Sequence, residues 1–151
     1  MTHEMKLQPK YFDYILNGTK RIEIRLNDEK RKKIKLGDKI KFLKETDLKE
    51  SFEAQVIGLL KYNSFEELLR DYDISILSDA NMTKDELIST LEQFYTKEKQ
   101  KQYGVLGIRI ELIWFFCYKA IIKFKIWLLI LVIFPTFMYN CIYQGSDFLW
   151  K

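Results

Sequence analysis

Charge all but disappears from this chain after position 110. Forty of its 46 Asp, Glu, Lys and Arg residues precede that point; the last 41 positions hold six, with 29 apolar residues, all three Trp and both Cys. A chain divided in this way is not two ordinary soluble domains. The front part has enough apolar and charged sequence for one small domain with its own core. The remainder is too apolar for a disordered extension. The expected organisation is a folded domain over residues 1–110 and a hydrophobic tail over residues 111–151.

Residues 126–146 of that tail carry no charge over 21 positions, about the length that crosses a hydrocarbon core as a helix. Trp127, Tyr139 and Tyr143 suit interfacial belts, and Pro135 kinks such a helix without forbidding it. Lys119, Lys123 and Lys125 flank its N-terminal side. The positive-inside tendency then predicts a transmembrane or membrane-associated helix, a tail anchor with the domain cytoplasmic and the C-terminus outside. The alternatives are an apolar helix folded back onto the domain, an interfacial helix over residues 112–134, and an aberrant extension from a shifted reading frame.

Several function classes fall early. Two Cys in an apolar context make no disulfide framework. The single His, at position 3 of a terminus expected to be mobile, anchors neither a His-based metal site nor a Ser-His or Cys-His hydrolase. The N-terminus has no apolar segment of the kind that a cleaved secretion signal requires. Glu23 and Asp38 have no recognised ligand spacing, so no metal is placed, and no cofactor is expected. The net charge of +4 is too mild to announce a nucleic-acid binder. Residues 29–35 nevertheless read EKRKKIK, and Arg31, Lys32 and Lys33 form either a solvated edge or a phosphate-contacting patch.

The front part alternates between two periodicities. A short strand is expected at 5–7. A helix follows from Pro9, carrying Tyr11, Phe12, Ile15 and Leu16 and closed by Asn17 and Gly18. In Arg21-Ile22-Glu23-Ile24-Arg25-Leu26 apolar and charged residues strictly alternate, the mark of a half-buried strand with Arg21, Glu23 and Arg25 on the face away from the core. Gly37-Asp38 turns into a strand at 39–43, a polar loop follows at 45–51, and 52–60 form another strand. Capping boxes at Ser64/Glu67 and Thr83/Glu86 start helices, the first over 64–70, the second with Leu87, Ile88, Leu91, Phe94 and Tyr95 as its apolar stripe. Residues 71–82 read as irregular, and Gly104 opens a closing strand at 105–110. No Gly-rich phosphate loop follows any strand. The fold class is α+β: a small β-barrel with two or three inserted helices, followed by the hydrophobic C-terminal helix.

The segment Gly18-Thr19-Lys20-Arg21-Ile22-Glu23-Ile24-Arg25 resembles the Gly-x-Lys-x-x-Glu-x-Arg signature of the ASCH family, named for activating-signal-cointegrator homology and placed among the PUA-like β-barrels. The helix ending in Asn17-Gly18, the Lys35-x-Gly37-Asp38 turn, Asn81-Met82-Thr83 before a helix, and the closing stretch 103–110 are similar to that family in the same order. The resemblance spans roughly residues 3–110. It implies a PUA-like barrel that binds RNA or a nucleotide in a cleft lined by the signature residues. Some small bacterial members are amidohydrolases of acetylated cytidine nucleosides, and others have been described as ribonucleases. The amidohydrolase branch uses a Lys, a Thr three positions later, and a Glu just before Asn-Met-Thr. Lys20 matches the first, whereas Glu23 stands in place of the Thr and Ala80 in place of the Glu.

On their own chemistry, Lys20 serves as base or nucleophile only with a lowered pKa. Glu23 either relays a proton or holds its neighbours, and Arg25 has a fork that fits a phosphate or a base edge. An exposed cross-strand ion network is the plainer reading of the same three residues. Tyr103 is either a stacking platform for a base or an aromatic cap over the barrel mouth. Asn81 and Asp79 are either ligand contacts on a loop or turn formers. Two functions follow. One is a binding module for RNA or a modified nucleoside, using Lys20, Glu23, Arg25, Tyr103, Asn81 and the Arg31-Lys32-Lys33 edge. The other is a hydrolase of an acylated nucleoside, with Lys20 and Glu23 as its chemical pair.

Overall fold

A computed structural model describes residues 1–45 and 47–113 of the chain. In chain order the elements are β1 (Thr2–Leu7), α1 (Pro9–Leu16), β2 (Ile22–Leu26), β3 (Lys39–Lys44), β4 (Ser51–Tyr62), α2 (Phe65–Asp71), α3 (Lys84–Glu92), α4 (Lys97–Tyr103) and β5 (Val105–Leu112). Short 3₁₀ turns occupy Arg31–Lys33 and Ile74–Ile76. The five strands form one mixed sheet in the order β1-β3-β4-β5-β2. β1 runs parallel to β3, and every other pairing is antiparallel. The sheet curls into a half-barrel with β1 and β2 at its two ends.

Local chemistry accounts for the elements. Pro9 sits in the first turn of α1, where its missing N–H costs nothing, and the helix stops at Gly18, whose φ of +82° suits glycine. The Ser64 hydroxyl accepts from the Glu67 N–H to start α2. Thr83 and Glu86 exchange hydrogen bonds in a complete capping box at α3. Packing then decides what is buried. Ile22, Ile24 and Leu26 of β2 join Phe65, Leu68, Leu69, Leu77, Leu87 and Val105 in one apolar cluster. On the α1 side, Phe12, Phe42 and Phe52 stack with centroids 4.7 and 5.3 Å apart.

The α+β class holds, with four α-helices where two or three are expected. The extra one is α4, whose sequence KEKQKQY has no apolar stripe; it is capped by Thr96 and anchored by buried Gln100. The first strand begins at Thr2 rather than at 5. The Asp38 carboxylate accepts from the terminal amine at 2.8 Å and from the Lys35 N–H at 3.0 Å, and lies 2.8 Å from His3 Nε2. These partners hold the Asp38 carboxyl well below the usual carboxylate range, and they fix the segment that was expected to be mobile.

The membrane expectation is corrected. Among the described residues no helix is long and apolar enough to cross a membrane. The charge-free run at 126–146, on which the expected C-terminal helix and tail anchor rested, lies outside the described residues.

Candidate functional site

Because β1 and β2 end the sheet on opposite sides, the curl brings them to the two banks of a cleft. Lys6, Leu7 and Gln8 line one bank, Lys20, Glu23 and Arg25 the other; Tyr11 of α1, Leu77, Ser78 and the α3 side from Leu87 to Tyr95 close it. Its cavity is about 160 Å³, room for one small group.

The charged floor is compact. Glu23 Oε1 lies 2.8 Å from Arg25 Nε, and Oε2 lies 3.4 Å from Lys20 Nζ. Lys20 Nζ also donates to the carbonyls of Ile22 at 2.9 Å and Leu77 at 2.5 Å. Arg25 donates through Nη1 to the Tyr95 hydroxyl at 3.2 Å and through Nη2 to the Lys6 carbonyl at 2.9 Å. Lys20 and Glu23 are 5% and 4% exposed, which excludes the exposed ion network. Burial lowers the Lys20 pKa from its usual value; Glu23 opposes that shift and Arg25 adds to it. The Lys20 ammonium also stands 5.7 Å from the Tyr11 ring centre, a cation–π contact within reach of the ring face.

The alternating strand needs a correction here. Arg21 is exposed, as expected, and its Nε donates to the Gly18 carbonyl. Glu23, read as sharing that outward face, is buried. The face opposite the main core becomes the cleft floor once α1 and α3 close over it.

The other expected site residues lie elsewhere. Asn81 is exposed in a turn, its N–H donating to Asp79 Oδ1 at 3.0 Å, and it does not line the cleft. Asp79 lies 2.9 Å from Lys10 Nζ and accepts from the Tyr14 hydroxyl at 3.0 Å. Those bonds and the Asn81 N–H lower its pKa to about 2. Arg31 and Lys32 pair with Asp28 and Glu29 at 2.8 and 2.6 Å, so the basic run is partly neutralised by its own neighbours. Lys33 has no partner among the described residues, and none of Arg31, Lys32 and Lys33 lines the cleft. Tyr103 lines a second depression with Asn27, Lys61 and Gln102. Among the described residues no cluster of His, Cys, Asp or Glu is arranged to hold a metal.

Sequence reasoning missed Tyr11, Ser78, Thr90, Phe94 and Tyr95 on the cleft wall. Phe94 and Tyr95 were read as the core stripe of a helix, yet Phe94 is 56% exposed. α3 ends at Glu92 and carries only Leu87, Ile88 and Leu91 of the expected stripe, so the two aromatic residues lie beyond the helix. Ser78 gave no signal, because its burial depends on the fold of the irregular stretch before α3.

The sequence matches the model of the ASCH domain over residues 5–114. Two solved structures are similar at family level. The crystal structure of hypothetical protein PH0355 is 40% identical, with 75% of this chain and 100% of that chain covered and a TM-score of 0.67. The solution NMR structure of PF0455 from Pyrococcus furiosus is 37% identical, covering 75% of this chain and 98% of that one, with a TM-score of 0.62. A mutant of ZmASCH from Zymomonas mobilis, at 12% identity and a TM-score of 0.51 over 73% of this chain and 67% of that chain, shares the fold. No curated protein matches the sequence.

Proposed function

The chain belongs to the ASCH family of PUA-like domains, and from that premise we propose that it binds RNA or a modified nucleoside, with the reading base held in the cleft between β1 and β2. The observation that carries this reading is the buried Lys20–Glu23–Arg25 floor beneath aromatic and apolar walls. A flat base needs apolar surface on its faces and a few fixed polar groups at its edge. Tyr11, Phe94 and Tyr95 supply the first, and the charged floor supplies the second.

Binding is favoured over chemistry by how Lys20 is held. Two carbonyls and Glu23 account for the three protons of its ammonium. Such a lysine is a fixed charge rather than a free nucleophile. The test is calorimetric titration of the full chain with a panel of plain and acetylated nucleosides. Saturable binding that Arg25→Ala weakens at least tenfold supports the reading; absence of binding across the panel overturns it.

One observation supports the second reading, an amidohydrolase of an acetylated cytidine-type nucleoside with Lys20 and Glu23 in catalysis. Burial lowers the proton affinity of Lys20, which raises the share of neutral amine able to take a proton. Turnover of an acetylated nucleoside that Lys20→Ala abolishes would establish that reading in place of simple binding.

A further inference from the structure

The second depression is roomier than the cleft, about 610 Å³, and its chemistry differs. Its lining includes Lys61, Lys101, Asn27, Gln102 and Tyr103. Lys61 and Lys101 are exposed; Lys61 has no partner among the described residues, and Lys101 acts electrostatically on Glu98 one turn away on α4. The acidic group on the wall is Glu67, whose Oε2 already accepts from the Asn63 N–H at 3.0 Å and the Asn63 amide at 3.2 Å. The nearby Asp71 carboxylate accepts from the Tyr62 hydroxyl at 2.6 Å. The lining therefore sets two lysines against the single Glu67 carboxylate. Tyr103 packs against the apolar cluster, which holds its ring in place at the rim.

Two connections join the depression to the cleft. β2 carries Arg25 on the cleft wall, and two residues later Asn27 lines the depression. Two residues of strand span roughly 6–7 Å. On the other side Gln100, buried and lining the depression, donates from its side-chain amide to the carbonyl of Tyr95, which lines the cleft. Single-stranded RNA is read with its bases splayed rather than stacked, the form that two separate hollows accept.

We propose that this depression is a second subsite for single-stranded RNA. It takes the phosphate and base of the nucleotide next to the one held in the cleft, with Lys61 and Lys101 on the phosphate and Tyr103 as the stacking surface. The inference rests on the cleft reading above, and it separates an oligonucleotide from a free nucleoside: only the former fills both hollows.

The test uses the full chain and two probes, a nucleoside that binds the cleft and a fluorescein-labelled single-stranded RNA octamer of mixed sequence. The Lys61→Ala/Lys101→Ala double variant is expected to lose about tenfold in octamer affinity and to flatten the slope of log affinity against log salt by about one. Nucleoside affinity should stay within twofold. Charge reversal at the same two positions should weaken the octamer further. Unchanged octamer affinity and salt slope, or an equal loss for both probes, overturns the subsite. If octamer binding responds to Lys61 and Lys101 but not to Arg25→Ala, the cleft reading fails and the subsite stands. If the wild-type chain binds neither probe, both fail.

Discussion

Arg25 on β2 donates from Nη2 to the carbonyl of Lys6 on β1, at 2.9 Å, across the gap between the two end strands of the sheet. The same guanidinium lies 2.8 Å from Glu23 through Nε. One side chain therefore ties the banks of the cleft together and sets the charge on its floor. Arg25→Ala removes the tie and leaves Glu23 with only the longer contact to Lys20. The expected cost is about 2–4 kcal/mol, at the lower end of what breaking a buried pair exacts because Lys20 remains. Arg25→Lys keeps the charge and loses the fork, so it should recover less than half of that. Urea unfolding of the full chain measures both; equal stability for Arg25→Ala and wild type would show that the tie carries no weight.

Removing Glu23 is expected to be worse for the fold. Glu23→Ala leaves two buried cations facing each other without their shared carboxylate, at a cost of about 3–5 kcal/mol. Glu23→Gln keeps the shape and an acceptor oxygen, and should lie between Ala and wild type. The order wild type, Gln, Ala in unfolding midpoint is the expected result. Equal midpoints for all three would mean that Lys20 and Arg25 find other partners.

Much of this arrangement was legible from local pattern, and the part that was not depends on curvature. The alternation over residues 21–26 located the strand and its core residues Ile22, Ile24 and Leu26. A period of two says that Glu23 and Arg25 share a face; it does not say whether solvent or another layer covers that face. Only the closure of α1 and α3 over it buries Glu23. α4 was illegible for a different reason, since its single buried anchor is the polar Gln100, which donates to Tyr95 O and accepts from Phe65 N. The basic run at 29–35 was visible as charge, but the partners of Arg31 and Lys32 lie three residues back, a spacing that matters only once the turn has formed.

Two glycines with positive φ separate conformational cost from crowding. Gly18 has a φ of +82° and nothing within 4 Å of an added Cβ, whereas Gly104 has a φ of +73° and would place that Cβ 3.1 Å from the Tyr62 carbonyl oxygen. Gly18→Ala should cost about 1–2 kcal/mol from backbone conformation alone. Gly104→Ala should cost more, since the contact is with main chain that cannot swing aside. Thermal unfolding of the two variants side by side checks the order, and a smaller loss for Gly104→Ala would contradict it.

Asp79 predicts part of the acid limb of stability. Its folded pKa is lowered to about 2 from 3.8 by the Asn81 N–H, Lys10 and Tyr14. Between those values the unfolded chain binds more protons than the folded one, so stability rises with pH across that window. The contribution is complete above about pH 4 and fades as pH falls through 2. Asp79→Asn should flatten the dependence between pH 4 and 2 relative to wild type, as read from urea unfolding at a series of pH values. Parallel curves would show that Asp79 is bound as tightly in the unfolded chain.

Lys20 gives the opposite limb and separates stability from binding. Burial lowers its folded pKa below 10.5. As pH rises from the folded value to 10.5 the unfolded chain still binds a proton that the folded chain has released, so stability climbs with pH over that range. Lys20→Met removes the buried ammonium while Glu23 retains Arg25 at 2.8 Å. It should abolish the alkaline climb and cost about 1–3 kcal/mol at neutral pH, because the Ile22 and Leu77 carbonyls lose their donor. Nucleoside affinity should also fall, because half of the positive charge on the cleft floor is gone. A Lys20→Met chain that stays folded at neutral pH and has lost its ligand places the residue in recognition; one that unfolds there places it in the scaffold.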